Sequence, residues 1–381
     1  MFKDKTILYI VHNYNTFQKD SLEEVAKYFK KVYVLVRYKP ISKIARYLPF
    51  KWIKKYDDSY VLDLKNLPSN VTVIKTPVWY LPIGICYKWL GNLHYESVKK
   101  VIKKHNINFD LVHCHFIWSA GYVGMKLKEE FKVPFMVTGH GFDVYSLPFK
   151  DKHWGKRVKE ILHSADKVVT ISSFNKEFLV KMVEEEKISI VFNGFSPSLF
   201  FPADKEEMKR ELSIPKDRRI CLSVGNLVKV KGYEYLIKAF EEIARKHTDL
   251  DLYLIGSGPL SYKLEKLVKR LGLQSRVFFV GAKPHQEIVK WMNASDLFVI
   301  SSLKEGAPVV LLEALSCGVP IVGTRVGIMK DVLISPSYGY ISNTAEIKDL
   351  REKMELALKK EWDRKERSEE RRVGKECRSR W

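Results

Sequence analysis

The stretch Leu297 to Thr324, "LFVISSLKEGAPVVLLEALSCGVPIVGT", decides the fold. Two short apolar runs, "LFVIS" and "PIVGT", flank "PVVLLEALS", a run of helical character. Strands at this spacing with a helix between them read as a βαβ unit, and hence as a parallel sheet. The helix is apolar on all sides, which predicts burial. Pro308 stands where a helix begins, because its fixed φ suits the first turn. The segment nevertheless keeps two carboxylates, Glu305 and Glu313, eight residues apart. A buried carboxylate is costly alone, so Glu313 requires a cation, hydrogen-bond donors or a ligand. The helix N-terminus offers unpaired N–H groups to a phosphate, and Gly306 lets a ligand approach the backbone closely. Eight residues of helix would set the two acids ~12 Å apart. That is too far for an acid/base pair on one glycosidic bond, which needs roughly 5–10 Å. The spacing suits the two ends of one extended ligand.

The same alternation runs through the chain. The first half holds strand candidates "ILYIV" (7–11), "VYVLV" (32–36), "VTVIK" (71–75), "LVHCH" (111–115), "FMVTG" (135–139), "KVVTIS" (167–172) and "ISIVF" (188–192). Helical patterns such as "SLEEVAKYF" and "ESVKKVIKKH" separate them. The pattern breaks around "NGFSPSLFFPADKEEMKRELSIPKDRR", which reads as a linker. A second series follows: "ICLSVG" (220–225), "LDLYLIG" (250–256), "RVFFVG" (276–281), "LFVIS" and "PIVGT". Two doubly wound α/β domains facing a cleft are expected, with ligands beyond the carboxyl ends of the strands. The boundaries are 1–195 and 196–366.

Composition agrees with a globular chain: 381 residues, 46% hydrophobic and 29% charged. The N-terminal apolar run is shorter than a signal-peptide core. Five cysteines show no metal-type spacing, which suits a reduced, cytoplasmic protein. "NVT" at Asn70 and "NAS" at Asn293 match the glycosylation pattern but carry little weight without a secretory signal. The net charge of +21 favours phosphate-bearing partners. From Lys27 to Tyr56 there are ten Lys or Arg and no acid, with apolar residues interleaved over 38–56. This is either a solvated basic face or a dock for an anionic membrane, peripheral on its inner face; RNA-binding aromatic signatures are absent and no nucleic acid is expected.

"VGAKPHQEIVKWMNASDLFVISSLKEGAPVVLLEALSCGVPIVGTRVG" resembles the signature region of glycosyltransferase family 4, the group 1 glycosyltransferases of GT-B fold, whose mark is E-x7-E. "VTGHGFDVY" (137–145), "ADKVVTIS" (165–172), "VFNGF" (191–195), "SVGNLVKVKGYEYLIKAF" (223–240) and "LIGSGP" (254–259) extend the likeness over roughly residues 5–355. The resemblance implies sugar transfer from a nucleotide-sugar donor (UDP-, GDP- or ADP-sugar), retaining and metal-independent, without a cofactor. A glycan or lipid-linked acceptor is implied on the first domain.

By the same resemblance, Glu305 holds the donor sugar hydroxyls and Glu313 the ribose hydroxyls. Gly306 and Ala307 offer backbone N–H groups, beside Pro308. Lys231 neutralises the donor diphosphate, where a preorganised cation helps most. Five residues earlier, Asn226 stands in place of the usual arginine, near Gly225; Lys229 is the candidate substitute. His140 contacts the donor sugar near the reacting carbon, and Asp143 supports that loop or the acceptor.

The loop after the first strand, "VHNYNTFQKD" (11–20), lacks the glycines that admit a diphosphate in many relatives, and Thr16 and Phe17 resemble a variant on the acceptor side. His12, His113 and His115 could suggest a metal, but alternation on strands favours buried or loop-supporting roles. "DLD" (249–251) formally matches a metal-binding D-x-D, without supporting context. A sugar-nucleotide epimerase or phosphorylase of the same fold, or a non-catalytic basic scaffold on membrane or nucleic acid, remain the alternatives. Residues 367–381, "RSEERRVGKECRSRW", resemble a translated sequencing adaptor, so the second domain is expected to be truncated near Glu366.

Overall fold

The computed structural model describes residues 2–40, 62–80, 84–194, 198–333 and 335–363. The greater part of the basic stretch 38–56 and the whole 367–381 tail therefore lie outside the described residues. The chain divides into two compact units, Met1–Phe192 and Asn193–Trp381.

The first unit is a seven-stranded parallel sheet of order β3-β2-β1-β4-β5-β6-β7. Its strands are β1 (Phe2–Val11), β2 (Phe29–Tyr38), β3 (Val71–Pro77), β4 (Leu111–His115), β5 (Phe135–Gly139), β6 (Lys167–Thr170) and β7 (Ile188–Ile190). Side chains alternate across the sheet. Leu8 and Ile10 of β1 enter one core with Val112, Phe135 and Val137, while Ile7, Tyr9 and Val11 enter the core on the other face with Val32, Val34 and Val36.

The second unit is a six-stranded parallel sheet of order β10-β9-β8-β11-β12-β13. These strands are β8 (Arg219–Val224), β9 (Leu250–Ile255), β10 (Val277–Gly281), β11 (Leu297–Ile300), β12 (Ile321–Thr324) and β13 (Gly339–Ser342). Both orders reverse direction beside the first strand of the unit, which puts a topological switch point between β1 and β4 and another between β8 and β11.

Several elements depart from expectation. The helix expected at "SLEEVAKYF" begins earlier, at Thr16, and ends at Ala26, because Phe29 already belongs to β2. Thr16 and Phe17 thus open a helix rather than lie in a loop. The pattern "ESVKKVIKKH" is only the end of a long helix, Gly84–Lys104. The expected linker contains a helix, Lys205–Glu211, whose Asp204 side chain caps the N–H of Glu207 at 2.7 Å. Pro308 occupies the N-cap of Val309–Ser316 with extended ψ, one residue ahead of the first turn.

Both glycosylation-like asparagines are engaged within the fold. Asn293 is fully buried, donating to Phe201 O (3.0 Å) and accepting from Ala203 N (2.9 Å); Asn70 donates to Ala26 O and Phe29 O. No helix among the described residues is long and apolar enough to cross a membrane.

One device recurs at the amino edges of both sheets. Asp110, Asp166 and Asp296 each stand one residue ahead of a strand. Each donates its own N–H to a neighbouring strand's carbonyl and accepts that residue's N–H on its carboxylate. The partners are Thr6, Phe135 and Ile220, at 2.7, 2.8 and 2.8 Å for the carboxylate bonds. A lysine then pairs with each acid: Lys5, Lys128 and Lys205. The clamp fixes register where a parallel ladder would otherwise fray. Asp296→Ala is expected to cost the second unit roughly 1–3 kcal/mol, because Ile220 N–H loses its acceptor. Denaturant unfolding checks it, and a midpoint indistinguishable from wild type would reject the clamp.

Candidate active site

In the second unit the loops after β8 and β11 meet at the switch point. The loop after β8 returns through a single turn, Lys229–Lys231, to the helix Tyr233–Lys246. Gly232 between them has φ +65°, and a methyl added there would lie 2.0 Å from the Ser301 carbonyl oxygen. Ser301 Oγ donates to Lys231 O at 3.0 Å, and Leu303 N to Val230 O at 2.7 Å. The two loops are thereby stitched together. Across this seam Lys231 Nζ meets Glu305 Oε1 at 2.5 Å, and Ser302 Oγ donates to the same oxygen at 2.7 Å. Glu305 Oε2 takes no bond from a described residue.

Glu313 lies on the buried helix Val309–Ser316 and is itself only 3% exposed. Its partner is His285, the first residue of the helix His285–Ala294, whose Nε2 lies 2.7 Å from Glu313 Oε1. His285 also packs on the ring of Phe200, 4.9 Å between centroids. Glu313 Oε2, like Glu305 Oε2, takes no bond from a described residue. The backbone N–H groups of Gly306 and Ala307 donate to no described residue either, while Ala307 O accepts weakly from Asn193 Nδ2 at 3.4 Å. Gly327, at φ +54°, packs so closely on this turn that a methyl would lie 2.4 Å from Gly306 O.

Gly225 follows β8, and its carbonyl accepts from Tyr233 OH at 2.9 Å. Asn226 and Lys229 are both exposed, and neither is bonded to Glu305 or Glu313. Sequence reasoning missed His285 and Ser302. Both lie inside the quoted signature stretch, ahead of Glu305, but only the fold brings His285 to a glutamate 28 residues on.

The "DLD" acids are neutralised by arginines at the amino edge of the sheet. Asp249 pairs with Arg219 (2.5 Å), and Asp251 with Arg218 (2.7 Å) and Arg276 (2.9 Å). No group of three His, Cys, Asp or Glu among the described residues could hold a metal ion.

In the first unit, His140 follows β5. Its Nε2 lies 3.1 Å from His115 Nδ1, and its ring lies 4.6 Å from that of Phe116. Asp143 is buried and accepts three backbone N–H groups: Ile117 (2.8 Å), Gly141 (2.9 Å) and His140 (3.1 Å). It therefore shapes the loop that carries His140. Burial raises its pKa, and those N–H groups oppose the rise. His12, which follows β1, stacks flat on Phe116 at 4.6 Å. His113 meets Thr138 Oγ1 at 2.7 Å. Thr16 and Phe17 are placed only as the start of their helix; their side chains lie outside the described residues.

Two parallel, doubly wound Rossmann-like units make this a GT-B fold. The family model of glycosyl transferases group 1 matches residues 204–376, and that of glycosyltransferase family 4 matches residues 61–199. The chain belongs to the group 1 glycosyltransferases of family 4. N-acetyl-α-D-glucosaminyl L-malate synthase of Bacillus anthracis is 28% identical over 303 residues, 78% of this chain and 74% of that protein. Among solved structures, sucrose-phosphate synthase from Thermosynechococcus elongatus matches with a TM-score of 0.75 at 20% identity, covering 99% of this chain and 94% of that one. Anabaena HepE in complex with UDP matches with a TM-score of 0.73 at 16% identity, covering 98% and 95%.

Burial holds His113 and His140 well below the ordinary histidine value of 6.5, and lowers His115 to about 4. The unfolded chain takes up these protons near pH 6.5, whereas the folded unit resists them. The stability they contribute is thus complete above about pH 6.5 and is lost as pH falls toward about 4, roughly 3 kcal/mol for His115 alone. Denaturant unfolding of the first unit should shift to lower midpoints between about pH 7 and pH 5. His115→Gln should flatten that dependence, and an unchanged slope in the variant would exclude it.

Proposed function

We propose that the protein transfers a hexosyl-type sugar from a nucleotide-sugar donor to a glycan or lipid-linked acceptor, with retention of configuration and without a metal. The observation that carries this reading is the matched state of two carboxylates. Glu305 and Glu313 each have one oxygen held by protein donors and one left to accept from a ligand hydroxyl. Between them in sequence stand the N–H groups of Gly306 and Ala307 and the start of a buried helix, which favour negative charge. Sugar hydroxyls at Glu305, diphosphate at the turn and ribose hydroxyls at Glu313 follow as one extended donor.

Lys231 supplies the cation for the departing diphosphate, and its contact with Glu305 aims it in advance. His285 fixes the carboxylate of Glu313 in the orientation a ribose diol requires. His140 is kept neutral by burial, so it positions by hydrogen bonding rather than by charge. The first domain takes the acceptor and the second the donor. The UDP held by Anabaena HepE supports a uridine nucleotide as a donor candidate. The protein acts in the cytoplasm, docked peripherally on an anionic membrane through residues 38–56.

Glu305→Ala is expected to abolish transfer with an unchanged melting temperature. Glu313→Ala and His285→Ala should raise the donor KM by about tenfold or more while affecting kcat less, because they remove ribose contacts remote from the reacting bond. A donor screen by product mass spectrometry reads all three. Wild-type rates in both glutamate variants would refute the assignment, and conversion of donor to an epimer without acceptor would favour the epimerase alternative.

A further inference from the structure

We propose that the carboxyl edge of the first sheet binds an anionic group, a phosphate or carboxylate carried by the acceptor, with the Arg37 guanidinium as its anchor. The proposal rests on the transferase reading for the word acceptor; the anion site itself does not.

Arg37 is the penultimate residue of β2 and is half-buried. Its Nη1 donates to Ser119 Oγ at 2.9 Å, and its Cζ lies 5.8 Å from the centroid of Tyr80. These contacts leave most of a five-donor fork unused. Among the described residues no carboxylate pairs with it. A guanidinium removed from water without a counter-charge is costly, whereas neutral partners and a ring face compensate only part of that cost. Asp143, the buried carboxylate of this edge, spends both oxygens on backbone N–H groups.

The surroundings point the same way. Ser119 Oγ is shared with His94 Nδ1 at 2.9 Å, and both residues are fully buried. His94 Nε2, His12 Nε2 and Trp118 Nε1 are buried polar atoms without a partner among the described residues. Burial and the charge of Arg37 lower the pKa of both His12 and His94, which keeps this edge from adding cations that would repel Arg37. Lys39 Nζ lies 4.5 Å from the Tyr80 centroid, on the same ring as Arg37, and brings a second positive charge to the edge. The planar fork of arginine matches phosphate and carboxylate geometry. The donor diphosphate already has its own cation and N–H groups in the second unit, so the group Arg37 takes belongs to the acceptor.

Calorimetric titration of the full chain with inorganic phosphate, and separately with UDP, at constant ionic strength tests this. Arg37→Met should weaken phosphate binding by at least about tenfold and leave UDP affinity within about twofold. Lys266→Met, on a surface helix of the second unit, should change neither. Arg37→Lys keeps the charge and loses the fork, so an intermediate loss is expected; it decides the matter if Arg37→Met does not fold. No saturable phosphate binding by the wild type, or unaltered phosphate affinity in the Arg37 variants, would overturn the site. A parallel fall in UDP affinity would give Arg37 to the donor diphosphate and overturn the acceptor assignment. Failure of the transferase reading is read separately, as UDP affinity unchanged in Lys231→Ala and Glu313→Ala.

Discussion

The candidate site depends on how closely two loops approach at the switch point of the second sheet. Gly232 lies against the Ser301 carbonyl with no room for a side chain, and its left-handed φ turns the chain sharply into the following helix. That contact brings Lys231 onto Glu305, two residues 74 positions apart. A parallel sheet places the ends of β8 and β11 side by side, and the loops then need only one close backbone approach to set a cation against a carboxylate. Gly327 performs the same office for the turn at Gly306.

The strands were readable because buried parallel strands are runs of Val, Ile and Leu, whose signal is local. Helix limits were less so. The last turns of Gly84–Lys104 show a helical period in Val98, Val101 and Ile102 among charged residues, but its early part mixes Gly, Cys, Tyr and Trp with little periodicity. Lys205–Glu211 is a short polar helix, announced only by Asp204 and Glu207 at capping spacing. Strand β13, "GYIS", is too short for a period to show. Glu305, Glu313 and Lys231 could be named from their motifs. What sequence could not supply was pairing: His285 with Glu313, Ser302 with Glu305, and Asp143 with three backbone N–H groups are products of tertiary approach.

The two units handle charge at their carboxyl edges in opposite ways. The second pairs it: Lys231 with Glu305, and His285 with Glu313. The first suppresses it, holding His12, His94, His113, His115 and His140 neutral by burial and committing Asp143 to the backbone. Arg37 is the exception, because a guanidinium does not give up its proton in a protein. An edge built from neutral groups around Arg37, with Lys39 beside it, has a positive potential that burial makes stronger.

The amino edges show why such an arrangement is stable. There Asp110, Asp166 and Asp296 each bind a neighbouring strand's N–H and a lysine, and Asp249 and Asp251 take the arginines around β9. These acids hold the register of both sheets from the end opposite the loops, where ion pairs interfere with nothing. With register fixed there, the carboxyl-edge loops need not carry the burden of holding the strands together. Their glycines, unpaired N–H groups and half-satisfied carboxylates, each a cost to folding taken alone, can be kept in the arrangement a ligand would complete.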